Sequence, residues 1–84
     1  MNNNEDNVLN DILQTAGYNA TVVYAALKKL GPVVHMRVMD IRKHLTRDIG
    51  ESTIKKNIKM LSDLGYVEFL GETHDSRGRA LRVK

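Results

Sequence analysis

The chain has no cysteine, which removes a disulfide framework, a thiolate nucleophile and every zinc site that uses Cys, and which fits a reducing compartment. Its apolar runs are only a few residues long, far short of the roughly 20 needed to cross a bilayer. The opening Met-Asn-Asn-Asn-Glu-Asp-Asn has neither the basic region nor the apolar segment of a secretory signal. A cytoplasmic protein with no membrane partner is therefore expected. There is no Gly-rich phosphate loop, and His35, His44 and His74 lack the spacing of metal ligands. Asp40, Asp48, Glu51 and Asp63 are not accompanied by a nucleophile or a cofactor motif, so capping and surface pairing account for them better than acid–base chemistry. The expectation is a protein that is not an enzyme and has no metal, no cofactor and no evident small-molecule effector.

What is present suits one small folded domain spanning residues 1–84. Hydrophobic residues make up 42% and charged residues 27% of 84 positions, an ordinary globular balance. A chain of this size has room for a single core. The net charge of +3 is unevenly spread. Through Val34 two lysines face three acidic residues, whereas from His35 onward eleven basic residues face seven acidic ones. Basic residues gathered on one surface attract phosphates far more than a weakly basic average does.

Residues 1–6 are expected to be a flexible terminus, with Asp6 or Asn7 capping a first helix over residues 7–16. In that helix Val8, Leu9, Ile12 and Leu13 form an apolar stripe that Gly17 stops. A second helix starts at Asn19 or Thr21, buries Val23, Leu27 and Leu30, and ends at Gly31-Pro32. Val33 to Val38 reads as an edge strand, Met39 to Leu45 as a brief helix, and Thr46 to Gly50 as a turn with Ile49 as its apolar anchor. Met36, Met39 and Met60 are expected to fill gaps in the core or at its margin. From Glu51 to Leu64, Ile54, Ile58 and Leu61 follow the i, i+4, i+7 rhythm of an inward helix face. Tyr66–Leu70 and Arg79–Lys84 alternate as two strands of a hairpin around a polar loop, with Val67, Phe69, Leu81 and Val83 completing the core.

A short helix, a tight turn and a longer helix with polar outer positions make the unit whose second helix fits a DNA major groove. With Ile54 inward, 100° per residue puts Ser52, Lys56 and Lys59 on the opposite face and Thr53 and Lys55 on its flanks. Lysines neutralise phosphates or donate to guanine, and hydroxyls at a helix start bond phosphate or base edges. The plain alternative is a solvated charged face.

The supporting Ile41 and Leu45, the opening Ser52-Thr53-Ile54 and the passage Leu61-Ser62-Asp63-Leu64-Gly65-Tyr66-Val67 resemble the winged helix-turn-helix superfamily over about residues 19–84. The stretch Asp75-x-Arg77-x-Arg79 is similar to the wing of the multiple-antibiotic-resistance repressor family (MarR). The resemblance implies an α+β fold, a winged helix-turn-helix with an additional N-terminal helix and a C-terminal β-hairpin wing. It also implies that Arg77 reaches a minor groove beside the main contact, with Arg79 near it and Asp75 shaping the loop.

The function expected on these grounds is sequence-specific binding of double-stranded DNA in transcriptional regulation, with repression favoured over activation. The DNA-binding residues are Ser52, Thr53, Lys55, Lys56, Lys59, Arg77 and Arg79. Alternatives are a winged helix that meets an acidic protein in a transcription or replication assembly, or a replication or partition protein. A homodimer paired through Val8, Leu9, Ile12 and Leu13 is also expected, since a domain this small has little core with which to cover that stripe. It would set two recognition helices about one DNA turn, roughly 34 Å, apart. The competing outcome is that the stripe folds back and enlarges the chain's own core.

Overall fold

The computed structural model describes residues 3–35, 38–70 and 80–84, with side chains from Asn7 onward. The elements run α1 (Asn3–Ala16), α2 (Tyr18–Leu30), β1 (Val33–His35), α3 (Val38–Arg42), α4 (Glu51–Asp63), β2 (Val67–Phe69) and β3 (Ala80–Val83). The chain is thus an α+β fold of four helices and a three-stranded antiparallel sheet in the order β1-β3-β2. None of the helices is long and apolar enough to cross a membrane among the described residues.

Local chemistry sets the breaks between elements. Gly17 has φ +95°, and its N–H donates back to the carbonyls of Ile12 and Leu13 at 3.2 Å each. That turn lets α2 start at once and fold back antiparallel on α1. The end of α4 is a Schellman motif: the Tyr66 N–H donates to the Leu61 carbonyl at 2.9 Å and the Gly65 N–H to Ser62 at 3.0 Å. Gly65 supplies the φ of +88° that this motif requires. α1 begins at Asn3, ahead of the cap expected at Asp6 or Asn7.

The sheet keeps its period of two. Val34 pairs with Leu81, Phe69 with Leu81 and Val67 with Val83, which gathers apolar side chains on the face toward the helices. On the other face Glu68 lies opposite Arg82, and its carboxylate takes ion pairs from Arg82 and Lys84 at 3.7 Å each. The last strand is fixed to the helical layer by Tyr24, whose hydroxyl donates to the Lys84 carbonyl at 2.7 Å and whose ring meets Tyr66 edge-on at 6.0 Å.

One hydrophobic cluster unites the helices and the sheet, with Ile12, Val23, Leu27, Ile41, Ile54, Leu61 and Val67 its largest fully buried side chains. Leu30, Leu45 and Phe69, expected in the core, are partly buried against it. Ala20, Val22, Tyr24 and Val34 join it, and Ala26 is buried besides, although the helical and strand patterns do not single them out. Met39 is 47% exposed, which corrects its assignment as a gap-filler, while Met60 is half-buried and Met36 lies outside the described residues.

The apolar stripe of α1 is divided. Ile12 is fully enclosed in the core of its own chain, Val8 and Leu9 are partly buried against that core, and only Leu13 stands largely in solvent at 42% exposure. Ile12 is therefore not available as a dimer contact. The stripe has found its cover on α2 and α4, because the turn at Gly17 lays α1 across them.

Candidate nucleic-acid interface

Three neighbouring segments, α3, the turn that follows it and α4, carry six of the eleven basic residues of the second half, Arg42, Lys43, Arg47, Lys55, Lys56 and Lys59, on one continuous stretch of chain. After α3, successive i to i+3 bonds from Lys43 to Asp40, His44 to Ile41 and Leu45 to Arg42 tighten the backbone through Leu45. The turn is then anchored from both sides. Ile49 is buried in the core, and Arg42 bonds Asp48 at 2.9 Å across the turn. Gly50, in extended conformation, leads into α4 without a side-chain cap, and its carbonyl accepts from the Ile54 N–H at 3.0 Å.

In α4 the inward side is Ile54, Asn57, Ile58 and Leu61, all buried. Asn57 is the polar member, and its amide nitrogen donates to the Thr53 carbonyl one turn back at 2.7 Å, which lets it lie inside without an unmet donor. Ser52, Lys55, Lys56 and Lys59 are exposed and Thr53 is half-buried. The expected face of α4 is thus brought together on the surface, whereas Arg77, Arg79 and Asp75 lie outside the described residues.

The charges on this surface are not equivalent. Lys55 is 3.7 Å from Glu51 at i−4, Lys43 is 3.9 Å from Asp40, and Arg42 is held by Asp48. Lys56 and Lys59 have no acidic partner among the described residues. Exposed ion pairs are worth little in stability, but each carboxylate beside a lysine reduces the local positive potential. The two lysines in the middle of the α4 face are therefore its strongest cations.

A further cation was not singled out from the sequence. Arg47, in the turn, sets its guanidinium 5.1 Å from the centre of the Tyr18 ring at the start of α2. The two residues are far apart in the chain and only the fold joins them. Stacking on an aromatic face restrains a guanidinium while leaving its N–H edge free to donate. Arg47 is exposed, and so is Tyr18.

Other chemistry has little to build on. Among the described residues no three His, Asp or Glu side chains converge as a metal site, and no buried side-chain nitrogen or oxygen lacks a partner. No protein-family model matches the chain, and neither a curated protein nor a solved structure matches it.

Proposed function

We propose that this chain is a winged helix-turn-helix protein that binds double-stranded DNA with sequence preference and acts in the cytoplasm as a transcriptional regulator, a repressor in preference to an activator. In this reading α3, its turn and α4 are the helix-turn-helix, β2 and β3 carry the wing, and α1 is the added N-terminal helix. The observation that carries the reading is the two-sidedness of α4. Ile54, Ile58 and Leu61 are buried on one side, and Ser52, Lys56 and Lys59 are exposed on the other, directly after a turn pinned by Ile49 and the Arg42–Asp48 pair.

A helix of this length runs about 20 Å, and its exposed face would lie in a major groove about 12 Å wide. Phosphate contacts from Lys55, Lys59 and Arg47 would set the register. Lys56 and Ser52 would reach base edges, and Arg77 and Arg79 would follow the backbone or the minor groove from the wing. Occupying a promoter is sufficient for repression and needs no ligand.

The test is the binding of duplex DNA, read by fluorescence anisotropy, at several salt concentrations. With about six phosphates neutralised, log K should fall with log salt at a slope near −5, a loss of about a thousandfold between 50 and 200 mM. No binding at the lowest salt would reject the reading and leave the lysine face for an acidic protein partner.

A further inference from the structure

An exposed arginine can be held still in two ways. A carboxylate holds it and offsets its charge, whereas the face of an aromatic ring holds it and leaves the charge and the N–H donors in place. Arg47 is held in the second way. The carboxylate next to it in the chain, Asp48, is taken by Arg42 at 2.9 Å, and Arg47 has no acidic partner among the described residues. Its guanidinium lies instead 5.1 Å from the centre of the Tyr18 ring.

Both supports of this contact are fixed by their own surroundings. Tyr18 opens α2, and the Gly17 carbonyl just before it accepts from the Thr21 N–H at 3.2 Å and from the Thr21 hydroxyl at 3.0 Å. The Gly17 N–H is bonded back to α1. On the other side, the turn that carries Arg47 is anchored by buried Ile49 and by the Arg42–Asp48 pair. Tyr18 itself is 55% exposed, so its ring adds little to the core, and the contact it makes is with Arg47.

Arg47 precedes Ser52, on the outer face of α4, by five residues, a chain distance of at most about 18 Å. A major groove is about 12 Å wide, so a duplex that takes Ser52 into its groove has a backbone strand within reach of Arg47. Resting on the DNA reading above, we propose that Tyr18 is a positioning residue for DNA binding. It touches no DNA; its ring keeps the Arg47 guanidinium restrained and unneutralised, so that it meets a backbone phosphate beside the groove that holds α4. Ordering a long side chain at an interface costs affinity, and here the fold has ordered it before DNA arrives. The start of α2 thereby belongs to the binding surface, although it reads no base.

The test uses the intact chain and four variants: Tyr18→Phe, Tyr18→Leu, Arg47→Ala and the double variant of Tyr18→Leu with Arg47→Ala. Each is titrated onto a fluorescent duplex of mixed sequence at about 50 to 200 mM salt. Arg47→Ala removes one phosphate contact, so binding should weaken about eightfold at about 0.1 M salt and the slope of log K against log salt should become shallower by about 0.9. Tyr18→Leu leaves the charge but not its restraint. It should keep the parent's salt slope and lose about twofold to tenfold in affinity, the cost of ordering the arginine on binding. Tyr18→Phe keeps the ring and should bind within about twofold of the parent. With Arg47 already replaced, Tyr18→Leu should have no further effect, because no guanidinium remains to be held. Circular dichroism should match the parent throughout, since both side chains are exposed. A parent that does not bind duplex at the lowest salt rejects the DNA reading and this role with it. Where the parent binds, three results overturn this role alone: Tyr18→Leu as tight as the parent, Tyr18→Phe as weak as Tyr18→Leu, or the same loss from Tyr18→Leu with and without Arg47.

Discussion

Replacing Ile12 and replacing Leu13, adjacent residues of one helix, should have very different consequences. Ile12 is 0% exposed and lies within the core cluster, whereas Leu13 is 42% exposed. Truncating a fully buried isoleucine to alanine removes its transfer free energy and leaves a cavity, together about 2 to 5 kcal/mol. The upper part of that range applies if α1 and α2 are held apart by their other contacts and cannot close the space. A domain of this size has a total stability of about 5 to 15 kcal/mol, and each kcal/mol moves Tm by about 4 to 8 °C. Ile12→Ala should therefore lower Tm by about 8 °C or more, and by about 12 to 15 °C if it costs about 3 kcal/mol at 4 to 5 °C each. Leu13→Ala removes a side chain that is already largely hydrated and should cost less than about 1 kcal/mol. Urea unfolding followed by circular dichroism measures both. An Ile12→Ala variant within 1 kcal/mol of the parent would mean that α1 contributes little to the core.

Two further substitutions probe the turn chemistry and the cation on Tyr18. Gly65→Ala should lower stability by about 1 to 2 kcal/mol in the same unfolding assay; a Cβ there meets nothing within 4 Å, so the cost comes from φ +88° alone. Arg47→Ala should leave the thermal midpoint nearly unchanged, as exposed cation–π contacts contribute about 0.5 to 1 kcal/mol. It should weaken DNA binding about equally across sequences and make the salt slope shallower by about 0.9, as the loss of one phosphate contact requires.

Much of the fold was legible in the sequence where one residue pattern dominated. Ile54, Ile58 and Leu61 defined the inside of α4 because three strong apolar residues share one face, and Gly65 marked its end because few other residues accept the left-handed conformation found there. The turn around Ile49 and the two C-terminal strands lie where the spacing places them, whereas the brief helix is Val38–Arg42, so that Val38 belongs to it and not to the strand, and residues 43–45 follow it as a turn. α2 was under-read. It is covered by α1 on one side and by α4 on another and also meets β1, so Ala20, Val22, Tyr24 and Ala26 are buried beyond any single stripe. The fate of α1 could not be read from its own residues, since an apolar stripe shows that something covers it but not what.

The candidate site divides in the same way. Helical spacing alone gives the exposure of Ser52, Lys55, Lys56 and Lys59. It does not show that Glu51 occupies Lys55, nor that Asp48 holds Arg42, because those pairings depend on rotamers and on the path of the turn. Asn57 carried no sequence signal of burial; its bond to the Thr53 carbonyl exists only once the helix is formed. The contact between Arg47 and Tyr18 is a product of tertiary folding.

Whether the exposed face of α4 reads DNA, as proposed, is tested by selection from a random duplex library by the intact chain and by Lys56→Ala. The parent should enrich a defined motif. Lys56→Ala, in which the lost side chain is exposed and unpaired among the described residues, should still bind but lose preference at particular base pairs, worth about 1 to 3 kcal/mol of discrimination. A parent that enriches no motif, or a Lys56→Ala variant that selects the same motif with undiminished preference, would contradict the account.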